Sequence, residues 1–249
     1  MEIILILLIG LLLILGIIEF KVHTSNLSKI PIRIHVNGSR GKSSVVRLIA
    51  SGLRAGGLKT VGKTTGTSPR IIDENGNDKY IHRLRSASIG EQISLIRHFS
   101  KLNPDALVIE CMAVHPQYQW ISEHKIVKST IGVLTNVRPD HLDEMGISID
   151  QITKSMGNTI PFNGVMVTSE NKQTAILKEI SKNRQSDFYT SDSEELTNDE
   201  ISNFKYLEHK ENINLAIKVC KLCGVDRKTA LKGMENCTPD PGALTVWKI

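Results

Sequence analysis

Val36-Asn37-Gly38-Ser39-Arg40-Gly41-Lys42-Ser43-Ser44 is the stretch on which the fold turns. It follows a β-like apolar run, Ile32–Val36, and opens Ser43–Ala55, where Val46, Leu48, Ile49 and Leu53 recur at helical spacing until Gly56-Gly57 stops them. Strand, glycine loop and helix in that order is the context in which such a loop grips phosphate. The glycines let the backbone curl, so that amides from Ser39 to Ser43 turn toward phosphate oxygens. The helix start adds the positive end of its dipole. Lys42 is then placed to bridge β- and γ-phosphates, and the Ser43 hydroxyl to bind Mg²⁺. Asn37, Gly38, Ser39, Arg40, Gly41, Lys42, Ser43 and Ser44 form the candidate nucleotide loop. The full Walker pattern asks for glycine at position 36, where this chain has Val, so only the G-x-x-G-K-S core is kept. The competing reading is a glycine turn that merely caps a helix.

Outward from the loop, strands and helices alternate. Thr60–Val61, Ala106–Met112, Thr130–Val137, Gly164–Thr168 and Phe188–Tyr189 read as strands. Ile89–Leu102, Ser148–Thr159, Asn171–Lys182, Lys210–Cys223 and Asp226–Asn236 read as helices. The alternation predicts an α/β fold of the P-loop NTPase kind, a mostly parallel sheet with helices on both faces. The least apolar stretches, Asp73–Lys79 and Ser191–Asn203, are expected to be surface excursions.

The chain has 249 residues, 40% hydrophobic and 23% charged, which suits a globular protein and excludes a disordered one. Its net charge of +5 fits a basic site for an anionic ligand or attraction to anionic lipid. No basic stripe interleaved with aromatics is visible, so nucleic acid is not an expected partner. Cys220 and Cys223 form a C-x-x-C without a second ligand pair nearby, which predicts packing thiols in a reducing compartment rather than zinc. Ile3–Ile18 is an unbroken apolar run of about 24 Å as a helix, a little short of a hydrocarbon core of roughly 30 Å. No small-residue cleavage site follows it, and Lys21, Lys29 and Arg33 do. The reading is one transmembrane helix, residues 1–20, anchoring the chain in the cell membrane with its soluble part cytoplasmic. Residues 21–31 are expected to be a juxtamembrane linker.

Further motifs extend the argument. Thr64-Thr65-Gly66-Thr67-Ser68-Pro69 is similar to the T-T-S-P loop of folylpolyglutamate synthetases. Leu107-Val108-Ile109-Glu110 ends a strand on an acid. Asn136-Val137-Arg138-Pro139-Asp140-His141-Leu142-Asp143 resembles an N-x-x-x-D-H-L-D motif. Together with the G-S-R-G-K-S-S loop these resemble the Mur ligases and folylpolyglutamate synthetases. Val61-Gly62-Lys63-Thr64-Thr65-Gly66-Thr67 and Glu110-Cys111-Met112-Ala113-Val114 resemble, more narrowly, the ATPase subunits of poly-γ-glutamate capsule synthesis. The resemblance runs to Pro239-Asp240-Pro241-Gly242-Ala243, giving an ATP-binding central domain at 32–243. Residues 244–249 would begin a C-terminal domain, and a separate polypeptide carrying that domain is a candidate partner.

The resemblance implies an ATP-dependent amide ligase. ATP phosphorylates a γ-carboxylate, and the amine of glutamate attacks the acyl phosphate to lengthen poly-γ-glutamate. It implies ATP with Mg²⁺ or Mn²⁺ as cofactors, and other capsule-synthesis membrane subunits as partners. It implies Lys42, Glu110 and His141 as catalytic residues, with Ser43, Glu110 and His141 on the metal. Thr65 and Asn136 are candidates for contact with substrate. Each has a plainer alternative: a solvated strand-end acid for Glu110, and a loop histidine packed on Met145 for His141. Asp140 and Asp143 are expected to cap a helix. His35, His115 and His124 have no partner that the sequence identifies. The alternative function is a membrane-tethered ATP-binding subunit that organises partners without turning over alone.

Overall fold

The computed structural model describes residues 2–66, 68–82, 88–191 and 196–241. Thr67 and the 244–249 segment singled out above lie outside them. An eight-stranded sheet runs in the order β4-β3-β2-β5-β1-β6-β7-β8. Its strands are β1 (Ile32–Asn37), β2 (Thr60–Thr64), β3 (Arg70–Ile72), β4 (Asp78–Tyr80), β5 (Ala106–Glu110), β6 (Ile131–Leu134), β7 (Val165–Thr168) and β8 (Asp187–Thr190). The six strands from β2 to β8 across the sheet pair in parallel. At one edge β3 and β4 run antiparallel, so the sheet is mixed. That hairpin occupies part of the expected surface excursion. Its strands are only three residues long, too short to show a period.

Ten α-helices, α1 (Glu2–Ser28), α2 (Lys42–Ala55), α3 (Glu91–Ser100), α4 (Pro116–Ile121), α5 (Leu142–Met145), α6 (Ile149–Met156), α7 (Thr174–Asn183), α8 (Asn198–Ser202), α9 (Lys210–Leu222) and α10 (Arg227–Glu235), are found among the described residues. A π-helical turn, Ser122–Val127, extends α4.

Alternation along the central strands decides which helix covers which face. Ile34 and Val36 of β1, Val108 of β5 and Val133 of β6 point to one side, where α2, α9 and α10 pack. Leu107 and Ile109 of β5 point to the other, against α3, the π-helical turn and the end of α1. Leu134 and Met166 continue that second face under α6 and α7. Val36 is fully buried in the first of these cores and its carbonyl accepts from the Cys111 amide at 2.8 Å. Position 36 is thus strand rather than loop, which is why a β-branched residue stands where the Walker pattern has glycine. Buried Arg47 of α2 forks onto the Asp78 carboxylate at 2.9 and 2.7 Å, hooking the edge hairpin to the helix that carries the loop.

The N-terminal helix differs from expectation at its lower end. It runs unbroken to Ser28, through the segment expected to be a linker. Residues Ile3–Ile18 are largely exposed, but His23 and Leu27 are buried against the domain. His23 Nε2 donates to the Ile126 carbonyl at 2.8 Å, and Arg33 donates to the Ile30 carbonyl at 2.6 Å near the helix end. By length and composition α1 is able to cross a membrane.

Buried His35 lies on the opposite face of β1 from Val36, and its Nδ1 meets Glu123 Oε2 of the π-helical turn at 2.7 Å. Glu123 also accepts from the Ser129 amide and hydroxyl. Burial by itself pulls the imidazole pKa down. Contributions from Cys111 and from the Glu123 carboxylate outweigh it and hold the value up at about 10. The other two histidines are also engaged: His115 accepts from the Gln117 amide, and His124 meets Arg184 at 3.2 Å. Cys220 packs under α2, and burial pushes its thiol pKa up, as it does that of Cys223 to about 11, which suits packing groups rather than nucleophiles.

Candidate active site

The chain steps one way from β1 to β2 and the other way from β5 across β1 to β6. A crevice at such a reversal, outside the carboxyl ends of the strands, is where α/β sheets bind ligands. Three loops meet there: the glycine loop after β1, the Glu110 turn after β5, and the Thr135–His141 loop after β6.

The third loop props the first. The Ser39 amide donates to the Asn136 carbonyl at 3.0 Å, and the Arg40 amide to Asn136 Oδ1 at 3.1 Å. Thr135 Oγ1 donates to the Arg40 carbonyl at 2.6 Å, and the Arg138 amide to Ser39 Oγ at 2.8 Å. The Gly38 amide is taken by Asn37 Oδ1 at 2.8 Å. Amides 38–40 are therefore engaged within the protein, which corrects the expectation that the phosphate-facing set begins at Ser39. The amides with no intrahelical acceptor are those of Lys42, Ser43 and Ser44, the first turn of α2. Gly41 precedes them with φ 82° and offers no side-chain cap. At Gly38, φ 135°, an added Cβ would collide with Thr135 Oγ1. At Gly41 it would meet Asn212 Oδ1 at 2.8 Å. Gly38 is dictated by this bracing and Gly41 by its positive φ and the close approach of Asn212 from α9.

Lys42, Ser43 and Glu110 come together. Lys42 Nζ folds back to donate to the Gly38 carbonyl at 2.7 Å. Ser43 Oγ donates to Glu110 Oε2 at 2.8 Å, and the Thr65 amide donates to the same oxygen at 2.7 Å. Glu110 is 3% exposed, so it is not the solvated strand-end acid of the plainer reading. His141 sits in the left-handed region at φ 44°, heading α5, with its side chain 52% exposed. It, and not Asp140 or Asp143, occupies the cap position. Asp140 instead faces Arg40, at 3.4 Å.

Lys42, Thr65, Glu110, Asp140 and His141 line one cavity of about 280 Å³. A second cavity, of about 910 Å³, opens on the other flank of the loop, between Arg40, Asn136, Glu170 and Asn212. Asn136 belongs to this second cavity and Thr65 to the first. Sequence reasoning missed Glu170, His209 and Asn212. Glu170 is buried and accepts from the Val137 amide at 2.8 Å, a pairing across 33 residues that no local pattern announces. Asn212 fell inside the expected helix and His209 just before it, without a motif to mark either.

Among the described residues no group of three or more His, Cys, Asp and Glu stands ready to hold a metal. A Mg²⁺ ion held by one carboxylate, a hydroxyl, phosphate oxygens and water needs no such group, and Ser43 with Glu110 fits that requirement.

Residues 36–238 match the Mur ligase middle domain family. The chain belongs to that family. Two curated relatives are similar to this Mur ligase domain over 239 residues. One is the capsule biosynthesis protein CapB of Bacillus anthracis, at 39% identity over 94% of the chain and 51% of the relative. The other is the PGA synthase CapB of Bacillus subtilis, at 38% identity over 95% of the chain and 61% of the relative. The chain thus spans between half and two thirds of the length of these relatives. Among solved structures, E. coli FolC in complex with DHPP and ADP superposes with a TM-score of 0.69 at 14% identity, over 92% of this chain and 63% of that one. At that identity the likeness shows a shared fold.

Proposed function

We propose that this Mur ligase domain is the ATP-binding part of an ATP-dependent amide ligase that builds poly-γ-glutamate at the membrane. The observation that carries the proposal is the convergence of Lys42, Thr65, Glu110 and His141 on one cavity at the strand reversal, with Ser43 bonded to Glu110 beside it. The similarity to two CapB proteins, one of capsule biosynthesis and one a PGA synthase, supports the substrate class. The FolC structure that shares the fold is an ADP complex, which supports the nucleotide.

On this reading Lys42 exchanges the Gly38 carbonyl for phosphate oxygens, and the first-turn amides of α2 turn toward the same group. The 910 Å³ cavity beside Arg40 takes the rest of the nucleotide. Mg²⁺ or Mn²⁺, held by Ser43 and Glu110 with His141 nearby, supplies charge neutralisation at the phosphates. A γ-carboxylate oxygen attacks the γ-phosphorus and ADP leaves. The amine of an incoming glutamate then attacks the acyl carbon, phosphate departs, and the amine gives up its proton. The protein contributes position and charge, because a free carboxylate is too poor an electrophile to react with an amine. Arg40, whose side chain is exposed and only loosely paired with Asp140, can swing onto a polyanionic ligand. The α1 helix anchors the domain, with Lys21, Lys29 and Arg33 placing it on the cytoplasmic side.

Exchange of Glu110 for glutamine tests the metal assignment. It keeps an acceptor for Ser43 and the Thr65 amide but removes the charge. Calorimetric titration with an ATP analogue is expected to show affinity in Mg²⁺ reduced roughly tenfold, with little change in EDTA. Unaltered Mg²⁺ dependence would reject the ligand role. Purified wild-type chain that binds ATP yet turns nothing over would favour the tethered binding subunit.

A further inference from the structure

We propose that the strand-start edge of the sheet is a membrane-docking surface for anionic phospholipid, and that α1 holds it there as a rigid strut. The inference rests on the reading of α1 as a membrane span and deepens it. A flexible linker would let the domain tumble beneath its anchor. Here the helix is continuous from Glu2 to Ser28, and its last turns are built into the domain. Leu27 is 4% exposed and shares a core with Phe99 and Ile126. Asn26 Oδ1 accepts from Ser100 Oγ at 3.0 Å, and His23 is fastened to Ile126. The direction in which the apolar run leaves the domain is therefore fixed.

That direction sets which surface meets the bilayer. Phe20 closes the apolar run, and the Lys128 ammonium lies 5.3 Å from its ring. Lys128 stands just before β6, and its carbonyl accepts from Arg33 of β1 at 2.8 Å. The loops that start the strands thus sit at the level where the helix passes from apolar to polar. On the same edge, just before β7, Phe162 is 53% exposed. Its ring is braced by His124, at 4.8 Å between centroids, and by Arg184 at 5.5 Å. Lys29, Lys101 and Lys125 add exposed cations, against Asp105 and Asp187 at strand starts. An exposed aromatic with an arginine against its ring, on an edge that also carries exposed lysines, is the make-up of a membrane interface, where the ring enters the headgroup layer and the cations meet lipid phosphates. The glycine loop and Glu110 lie at the opposite ends of the strands, about 20 Å away across β1. Docked this way, the nucleotide cleft opens away from the bilayer.

The test uses the full chain in vesicles of phosphatidylcholine and phosphatidylglycerol. Trp120→Phe and Trp247→Phe remove the native indoles, and Phe162→Trp places one at the docking edge. Lipids brominated near the headgroup are expected to quench its emission roughly twofold relative to unbrominated lipid. Lys125→Glu with Lys128→Glu is expected to restore the emission, as is replacement of phosphatidylglycerol by phosphatidylcholine. Emission indifferent to bromination, in chain that resists carbonate extraction, would overturn the docking and leave the anchor standing. Chain released by carbonate would overturn both.

Discussion

Replacing Lys42 with alanine is expected to cut the proposed ATP-dependent polymer formation about a hundred- to a thousandfold while leaving the fold intact. The side chain makes one hydrogen bond, to the Gly38 carbonyl, and lies at the rim of the cavity rather than in a core. Its loss is a surface change for stability, within about 0.5 kcal/mol. Its loss for catalysis is large. In a site that works by placing positive charge where the transferring phosphoryl group develops negative charge, removal of one such donor lowers turnover about a hundred- to a thousandfold. Membranes carrying the variant together with its partner subunits should yield polymer at that reduced level, with unchanged circular dichroism. Arginine should rescue poorly, because its planar fork does not match a point charge held in a tight loop. Undiminished polymer would remove the glycine loop from the mechanism.

The second large effect is on stability. His35 and Glu123 are both buried and meet at 2.7 Å. His35→Leu leaves the Glu123 carboxylate without its cation, a loss of about 3 kcal/mol. The cost falls at the lower end of that class because Ser129 still donates twice. The pair also makes stability depend on pH. The folded pKa of His35, about 10, lies above its unfolded value of about 6.5. The contribution is therefore complete below pH of about 6.5 and is lost as pH rises through about 10. Urea unfolding of the wild type should show stability falling across that window, and His35→Leu should flatten the fall. Equal slopes in the two proteins would show that the imidazole is not protonated in the folded state.

Much of the site was legible because its signals are local. The loop from Asn37 to Ser44, the acid ending β5 and the Asp140-His141 pair are each contiguous runs, and strand–loop–helix order places them at one edge of the sheet. What the sequence does not display are pairings between distant segments. Asn136 was a candidate for substrate, yet its backbone and side chain both brace the glycine loop, 96 residues away for Arg40. His35 and Glu123 are 88 residues apart. The edge hairpin escaped because a three-residue strand shows no period. The lower end of α1 escaped because His23, Asn26 and Ser28 look like linker residues. They are polar for a different reason, since His23 and Asn26 bond to the π-helical turn and to α3.

The central claim is that a triphosphate sits in the loop after β1 with its metal between Ser43, Glu110 and His141. A crystal of the full chain with a non-hydrolysable ATP analogue and Mn²⁺ tests it through the anomalous signal of the metal. The account predicts one peak within coordination distance of Ser43 Oγ and a Glu110 oxygen, with His141 turned toward it and Lys42 released from Gly38 onto the phosphates. A peak elsewhere, with Lys42 still on the Gly38 carbonyl and Glu110 still bound to Thr65 and Ser43 alone, would contradict it.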